Sequence, residues 1–138
     1  MKEGSRDMTT GFDTRHIADM PDAIAPDGSE VRLLGSLPGG GLAVFRLMPG
    51  AVAKAVAHRT VEEIWYFTAG HGRMWRRLGD HEEITDVGPG VSITIPSGAH
   101  FQFRCGGGEP LETVAVTMPP WPGSEEAYSV LGKWDPTV

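Results

Sequence analysis

Cysteine is almost missing from this 138-residue chain, where Cys105 stands alone. A lone thiol excludes an internal disulfide framework, and nothing in it points to an oxidising compartment. Long apolar runs are missing too. No stretch approaches the roughly 20 residues of a membrane helix. The N-terminal MKEGSRDMTTGFDTRH is polar and acid-bearing, without the apolar centre of a secretory signal. The expectation is a soluble cytoplasmic protein with no membrane partner. Positive charge is scarce, with 12 basic against 18 acidic residues and a net charge of −6. Apart from Arg73, Arg76 and Arg77 the bases are scattered, which argues against a nucleic-acid surface built on many phosphate contacts. Also lacking is any amphipathic helical period longer than about 12 residues, so α/β crossover architectures are excluded.

What is plentiful is punctuation. Glycine (19) and proline (11) make up more than a fifth of the chain and follow no period, so they read as turns between many short strands. Strands are predicted at 31–37, 42–48, 62–68, 73–78, 91–96, 99–105 and 111–118, with looser alternation over 51–58. The segment 13–21 reads as a short strand or helical turn, 79–90 as a connection ending in Gly-Pro-Gly, and 124–131 as one short helix. Residues 1–12 show no apolar period and are expected to be a flexible segment. Residues 13–118 form one barrel. Residues 119–138, carrying Trp121 and Trp134, form a tail packed on the barrel or on a partner. Eight or more interrupted strands imply an all-β barrel or double-sheet sandwich.

The stretch VEEIWYFTAGHG (61–72) carries the candidate chemistry. Side chains alternate along a strand, so Glu63 shares a face with Trp65 and Phe67, while Ile64 and Tyr66 point the other way. Both faces are apolar, and the strand is expected to be covered on both sides. An ionised carboxylate among aromatics needs a partner, or its pKa rises. Glu63 is therefore either an exposed acid at the strand mouth or an acid lining a cavity. His58, five residues earlier, makes with it an acid–base pair or two metal ligands. His100 is a third candidate, but parity places it with Gln102 and Arg104, opposite Phe101 and Phe103. It sits at the rim, or in the cavity if a bulge turns it. His16, His71 and His81 lie in polar or turn segments and are expected to face solvent. The arginines read as surface residues, and Cys105 as a buried inert thiol.

The glycine and proline framework resembles the cupin superfamily, in particular its small single-domain members. The first cupin motif is a glycine, five residues, His-x-His, three or four residues, Glu, six residues and a glycine. Here Gly50, Val56, His58, Glu63 and Gly70 stand at those positions. The second is a glycine, five residues, Pro-x-Gly, two residues, His, three residues and Asn. Gly90, Pro96, Gly98, Phe101 and Cys105 occupy it. The resemblance covers roughly residues 31–118 and implies a jelly-roll β-barrel, or double-stranded β-helix, with short irregular termini. Of the four metal ligands usual in the family, only His58 and Glu63 remain, because Val56 and Phe101 replace the two other histidines. No cofactor is firmly expected. A weak or partial divalent metal site would draw on His58, Glu63 and His100.

The resemblance implies a cavity for a small-molecule ligand, lined by Val56, Trp65, Phe67, Phe101 and Phe103, with Glu63 and His58 as the catalytic pair. That inventory fits an isomerase, epimerase, cyclase or lyase acting on a small polar metabolite. The alternative is a non-catalytic ligand-binding or sensing barrel, and a third reading is a metal-dependent enzyme with a degenerate site. A storage role fits a lone barrel poorly. The resemblance also implies a homodimer, with residues 13–37 and the 121–134 tail as interface candidates.

Overall fold

The computed structural model describes residues 11–138. The expected flexible segment 1–12 therefore lies outside the described residues, except for Gly11 and Phe12. Eleven strands run in the order β1 (Ala23–Ile24), β2 (Glu30–Leu37), β3 (Gly40–Leu47), β4 (Val56–His58), β5 (Glu62–Ala69), β6 (Gly72–Leu78), β7 (His81–Val87), β8 (Ser92–Ile95), β9 (His100–Cys105), β10 (Leu111–Met118) and β11 (Ala127–Ser129). They form two antiparallel sheets. One has the order β1-β2-β3-β10-β5-β8, the other β11-β4-β9-β6-β7.

The core fills the space between the sheets because the inward positions of each strand are apolar. Leu47, Trp65, Phe67, Met74, Ile93, Ile95, Phe101, Phe103, Leu111 and Ala115 all belong to one buried cluster. The alternation is visible in β5, where Glu63, Trp65 and Phe67 are buried and Glu62, Ile64, Tyr66 and Thr68 are exposed. Coverage of both faces of this strand is therefore corrected: Ile64 and Tyr66 are exposed on the outer face of the six-stranded sheet. An apolar pattern on two faces specifies a strand but does not say what lies against each face.

Three other expectations change. Residues 13–21 form neither strand nor helical turn; Arg32 holds them across β2 by donating to the carbonyls of Ala18 and Asp19. Residues 81–87 are a strand at a sheet edge rather than a connection. Only Ser124–Glu126 of the expected short helix turns helically, as a 3-10 turn, before the chain extends into β11 and pairs with β4. Pairing with that open edge overrides the modest helical preference of Ser-Glu-Glu-Ala.

The tail lies along its own barrel. Gln102, on the outer face of β9, clamps it with three hydrogen bonds and makes a fourth to Ala53 of the barrel. Its Nε2 donates to the carbonyls of Ala53 and Trp134, and its Oε1 accepts from the amides of Lys133 and Trp134. Arg104 lies over the Trp134 ring at 5.3 Å, and the Thr137 hydroxyl accepts from the Val52 amide.

Candidate functional site

β4 and β5 bring the two expected residues into the interior. His58 ends β4, whose three residues are all buried, and Glu63 is the second residue of β5, 2% exposed. Alternation puts Val56 on the same face as His58, and Val56 is the register partner of Phe101 in β9. The two positions where the resemblance expects histidine thus face each other as an apolar pair. All five expected lining residues, Val56, Trp65, Phe67, Phe101 and Phe103, belong to the closed core. Two surface cavities, of about 320 and 500 Å³, are lined by other residues.

Aromatic rings pack around both residues. Trp65 meets Phe45, Phe101 and Phe103 edge to face at 5.2, 5.9 and 5.0 Å. His58 lies edge to face between Phe101 at 5.2 Å and Trp121 at 5.1 Å. Its Nδ1 is buried without a hydrogen-bond partner. The only protein hydrogen bond to the Glu63 carboxyl among the described residues comes from Trp65 Nε1, at 2.8 Å.

Burial sets the protonation of both groups. It raises the Glu63 pKa to about 8; the Trp65 hydrogen bond opposes the shift, and the negative charges of Asp27 and Glu126 reinforce it. Burial lowers the His58 pKa to about 4 against the opposing pull of Glu126. At neutral pH the acid keeps its proton and the imidazole is free, an arrangement suited to moving protons.

Three participants were not singled out from sequence. Trp121, from the tail, covers His58. Glu126 accepts from the Thr60 and Val61 amides at 2.6 and 2.9 Å and from the Thr60 hydroxyl at 2.7 Å. Burial works against its ionisation, but these hydrogen bonds and His58 outweigh it and hold its pKa below the ordinary carboxylate range. Asp27 is buried in the turn before β2, accepting from the amide and hydroxyl of Ser29. Burial raises its pKa, with Ser29 and Lys54 opposing. Asp27 looks like an ordinary Pro-Asp-Gly turn residue, and Glu126 reaches the mouth only through the pairing of β11, so neither carries a local signal.

His100 is half-buried and stays on the outer face with Gln102 and Arg104. The β6–β9 ladder runs from Gly72–Cys105 to Arg77–His100 without a register shift, so no bulge turns it inward. Burial, then the Arg77 charge, lowers its pKa. His16, His71 and His81 are exposed. Arg73 pairs with Asp86 and Arg76 with Glu83, on the surface. Cys105 is buried, its thiol directed at the Glu109 carbonyl.

A divalent metal of the kind cupins hold does not fit these residues. Val56 and Phe101 offer no donor atoms, His100 points away, and no group of three His, Cys, Asp or Glu able to hold an ion exists among the described residues. Two protein donors fall short of the usual three. No described helix is long and apolar enough to cross a membrane.

Comparison with known proteins bears on the fold. A search of curated proteins finds no match. Among solved structures, oxalate decarboxylase from Bacillus subtilis superposes with a TM-score of 0.66 at 20% identity, covering 83% of this chain and 30% of that one. The chain thus spans under a third of that enzyme. Pac13 of Streptomyces, a nucleoside dehydratase solved with uridine, superposes with a TM-score of 0.60 at 14% identity over 83% of each chain. Protein BH2720 of Bacillus halodurans gives 0.60 at 19% identity, covering 72% of this chain and 74% of that one. The signature described as the cupin domain matches residues 43–117, from within β3 almost to the end of β10. Since that match takes in both motifs and more than half of the sequence, the chain belongs to the cupin domain family.

Proposed function

We propose that this cupin is a metal-independent proton-transfer enzyme acting on a small polar metabolite, with His58 as base and Glu63 as acid. The observation that carries this is the opposed displacement of two buried groups, Glu63 up to about 8 and His58 down to about 4. His58 would take a proton from the substrate, becoming imidazolium. Glu63 would give its proton to a leaving oxygen or to the opposite face of the same carbon, becoming carboxylate. Loss of the imidazolium proton to solvent and uptake of one by the carboxylate reset the two groups. Lyase, isomerase, epimerase and cyclase steps all use this exchange. A nucleoside dehydratase and an oxalate decarboxylase among the structural neighbours support a small-molecule role for such a barrel. Substrate entry requires Trp121 to swing off His58, next to the cavity of about 500 Å³ lined by Arg59, Thr60 and residues 122–126.

The second reading is a non-catalytic binding barrel. It is favoured by the closed interior, in which Trp65, Phe101 and Phe103 are core residues and Glu63 is only 2% exposed. Incubation in D2O with sugars, hydroxy acids and nucleosides, followed by proton NMR, separates the two. Wild type should exchange or eliminate a proton in at least one compound, with kcat/KM falling below about 4 and above about 8 as His58 protonates and Glu63 ionises. Glu63→Gln should abolish the reaction while preserving the fold. Turnover retained in Glu63→Gln would remove Glu63 from the chemistry, and proton exchange in none of the compounds would favour the binding barrel.

A further inference from the structure

The tail encloses a cavity of its own, away from the barrel interior. Residues 129–136 fold back over Gln102 and over Lys54 and Ala55, which lead into β4, and leave a space of about 320 Å³. That lies within the ~300–1,000 Å³ of small-ligand sites. Its walls are held firmly. Gln102 lines it and fixes the backbone of Lys133 and Trp134. Arg104 lies over the Trp134 ring. Gly132 sits so close to its neighbours that a Cβ there would strike Ala55 and Gln102. Ala55, Val130, Leu131 and Pro136 make much of the lining apolar. Leu131 is 92% exposed, the most of any large apolar side chain described. Three charged side chains also line the space: Lys54, Lys133 and Asp135. Lys133 is neutralised from outside by Glu82 at 3.0 Å. Lys54 and Asp135 form an ion pair neither with each other nor with any other described residue. Lys54 acts through its field on the buried Asp27, but that carboxyl accepts its hydrogen bonds from Ser29.

We propose that this cavity binds a zwitterionic small molecule, an α-amino acid with an apolar side chain. The space offers one uncommitted cation, one uncommitted anion and an apolar wall. The ligand carboxylate meets Lys54, its ammonium meets Asp135, and its side chain lies on Val130 and Leu131. A simple acid gains Lys54 but faces the like charge of Asp135. A simple amine gains Asp135 but faces Lys54. Only a ligand carrying both charges is complementary at both ends, so the same two residues attract it and reject its single-charge relatives. The inference stands independently of the chemistry inside the barrel, because neither His58 nor Glu63 lines this cavity.

Titration of the full chain with L-leucine, followed by NMR, tests it. The matched probes are isocaproate, which lacks the amine, and isoamylamine, which lacks the carboxylate. Each is taken to about 10 mM, tenfold past a millimolar dissociation constant. L-Leucine should bind about fivefold more tightly than either probe, the discrimination that a solvent-exposed ion pair supplies. It should move the Trp134 indole signal and leave that of Trp65 in place. Lys54→Gln and Asp135→Asn change exposed side chains and should each weaken L-leucine by about the same factor, with unchanged far-UV circular dichroism. A readout on the unaltered chain is trypsin cleavage after Lys133, which L-leucine should slow. Absence of L-leucine binding over this range, a single-charge probe that binds as tightly, variants that bind as wild type does, or a shift at Trp65 without one at Trp134 would overturn the proposal.

Discussion

Replacing Glu63 with glutamine should change how stability depends on pH in a way that only a buried, protonated acid produces. Glu63 has its pKa raised from an ordinary 4.5 to about 8 on folding. Between those values the unfolded chain has released the proton and the folded chain still holds it. The folded state therefore binds more protons, and its stability falls as pH rises, by up to about 1.4 kcal/mol per pH unit. His58 acts in the opposite direction. Its pKa falls from 6.5 to about 4, so between those values the unfolded chain binds more protons and stability rises with pH. Across pH 4.5–6.5 the two slopes largely cancel. From 6.5 to about 8 only the Glu63 slope remains, a loss of roughly 2 kcal/mol over the window. Urea unfolding of wild type and Glu63→Gln at half-unit pH intervals isolates the effect, because groups common to both proteins cancel in the difference. The variant should gain roughly 2 kcal/mol on wild type between pH 6.5 and 8, about 5 °C in Tm for a domain of this size. A difference that stays constant over that window would show that the Glu63 carboxyl is already ionised or solvated, and would remove the acid from the proposed pair.

Two glycines with left-handed backbone should respond differently to alanine. Gly98, at φ +82°, faces open space, so Gly98→Ala should cost only the backbone strain of about 1 kcal/mol; Gly70, at φ +76°, would also drive a Cβ into the Pro110 carbonyl, so Gly70→Ala should cost at least about 3 kcal/mol in thermal unfolding. Equal losses would show that the strand β10 yields to the methyl group. Gln102→Ala removes the three hydrogen bonds that clamp the tail and a fourth to Ala53, and should cost about 2–4 kcal/mol. Trypsin should then cut after Lys133 more than tenfold faster, and an unchanged cleavage rate would mean that the tail is held elsewhere.

The interior strands were legible because their period is simple. β8 and β9 alternate apolar and polar residues, β5 and β10 are short apolar-rich runs, and Gly50, Gly70, Gly90, Pro96 and Gly98 mark the turns at the motif spacings. The pairing of Glu63 with Trp65 and Phe67 on one face also followed from parity alone. β7 was not legible. HEEITDV lies at a sheet edge with four of its seven residues exposed in succession, so its period is masked by charge. The covering of His58 by Trp121 spans 63 positions of sequence and rests on how the tail docks, which no local pattern encodes. The same holds for Glu126, whose partners Thr60 and Val61 lie 66 and 65 residues away.

The placement of β10 has a kinetic consequence. It lies between β3 and β5, with Leu111 opposite Leu47 and Val116 opposite Ile64, so the centre of the six-stranded sheet is assembled from segments that enter the chain far apart. No hairpin can join β3 to β5 in advance. Until β10 inserts, both strands present open apolar edges, with Leu42, Val44 and Leu47 on β3 and Ile64, Trp65 and Phe67 on β5. Loop closure over such separations must come before the contacts that reward it, which places folding in the millisecond-to-second range of non-local β topologies. During that interval the unfilled gap between β3 and β5 is the surface most exposed to pairing with another chain.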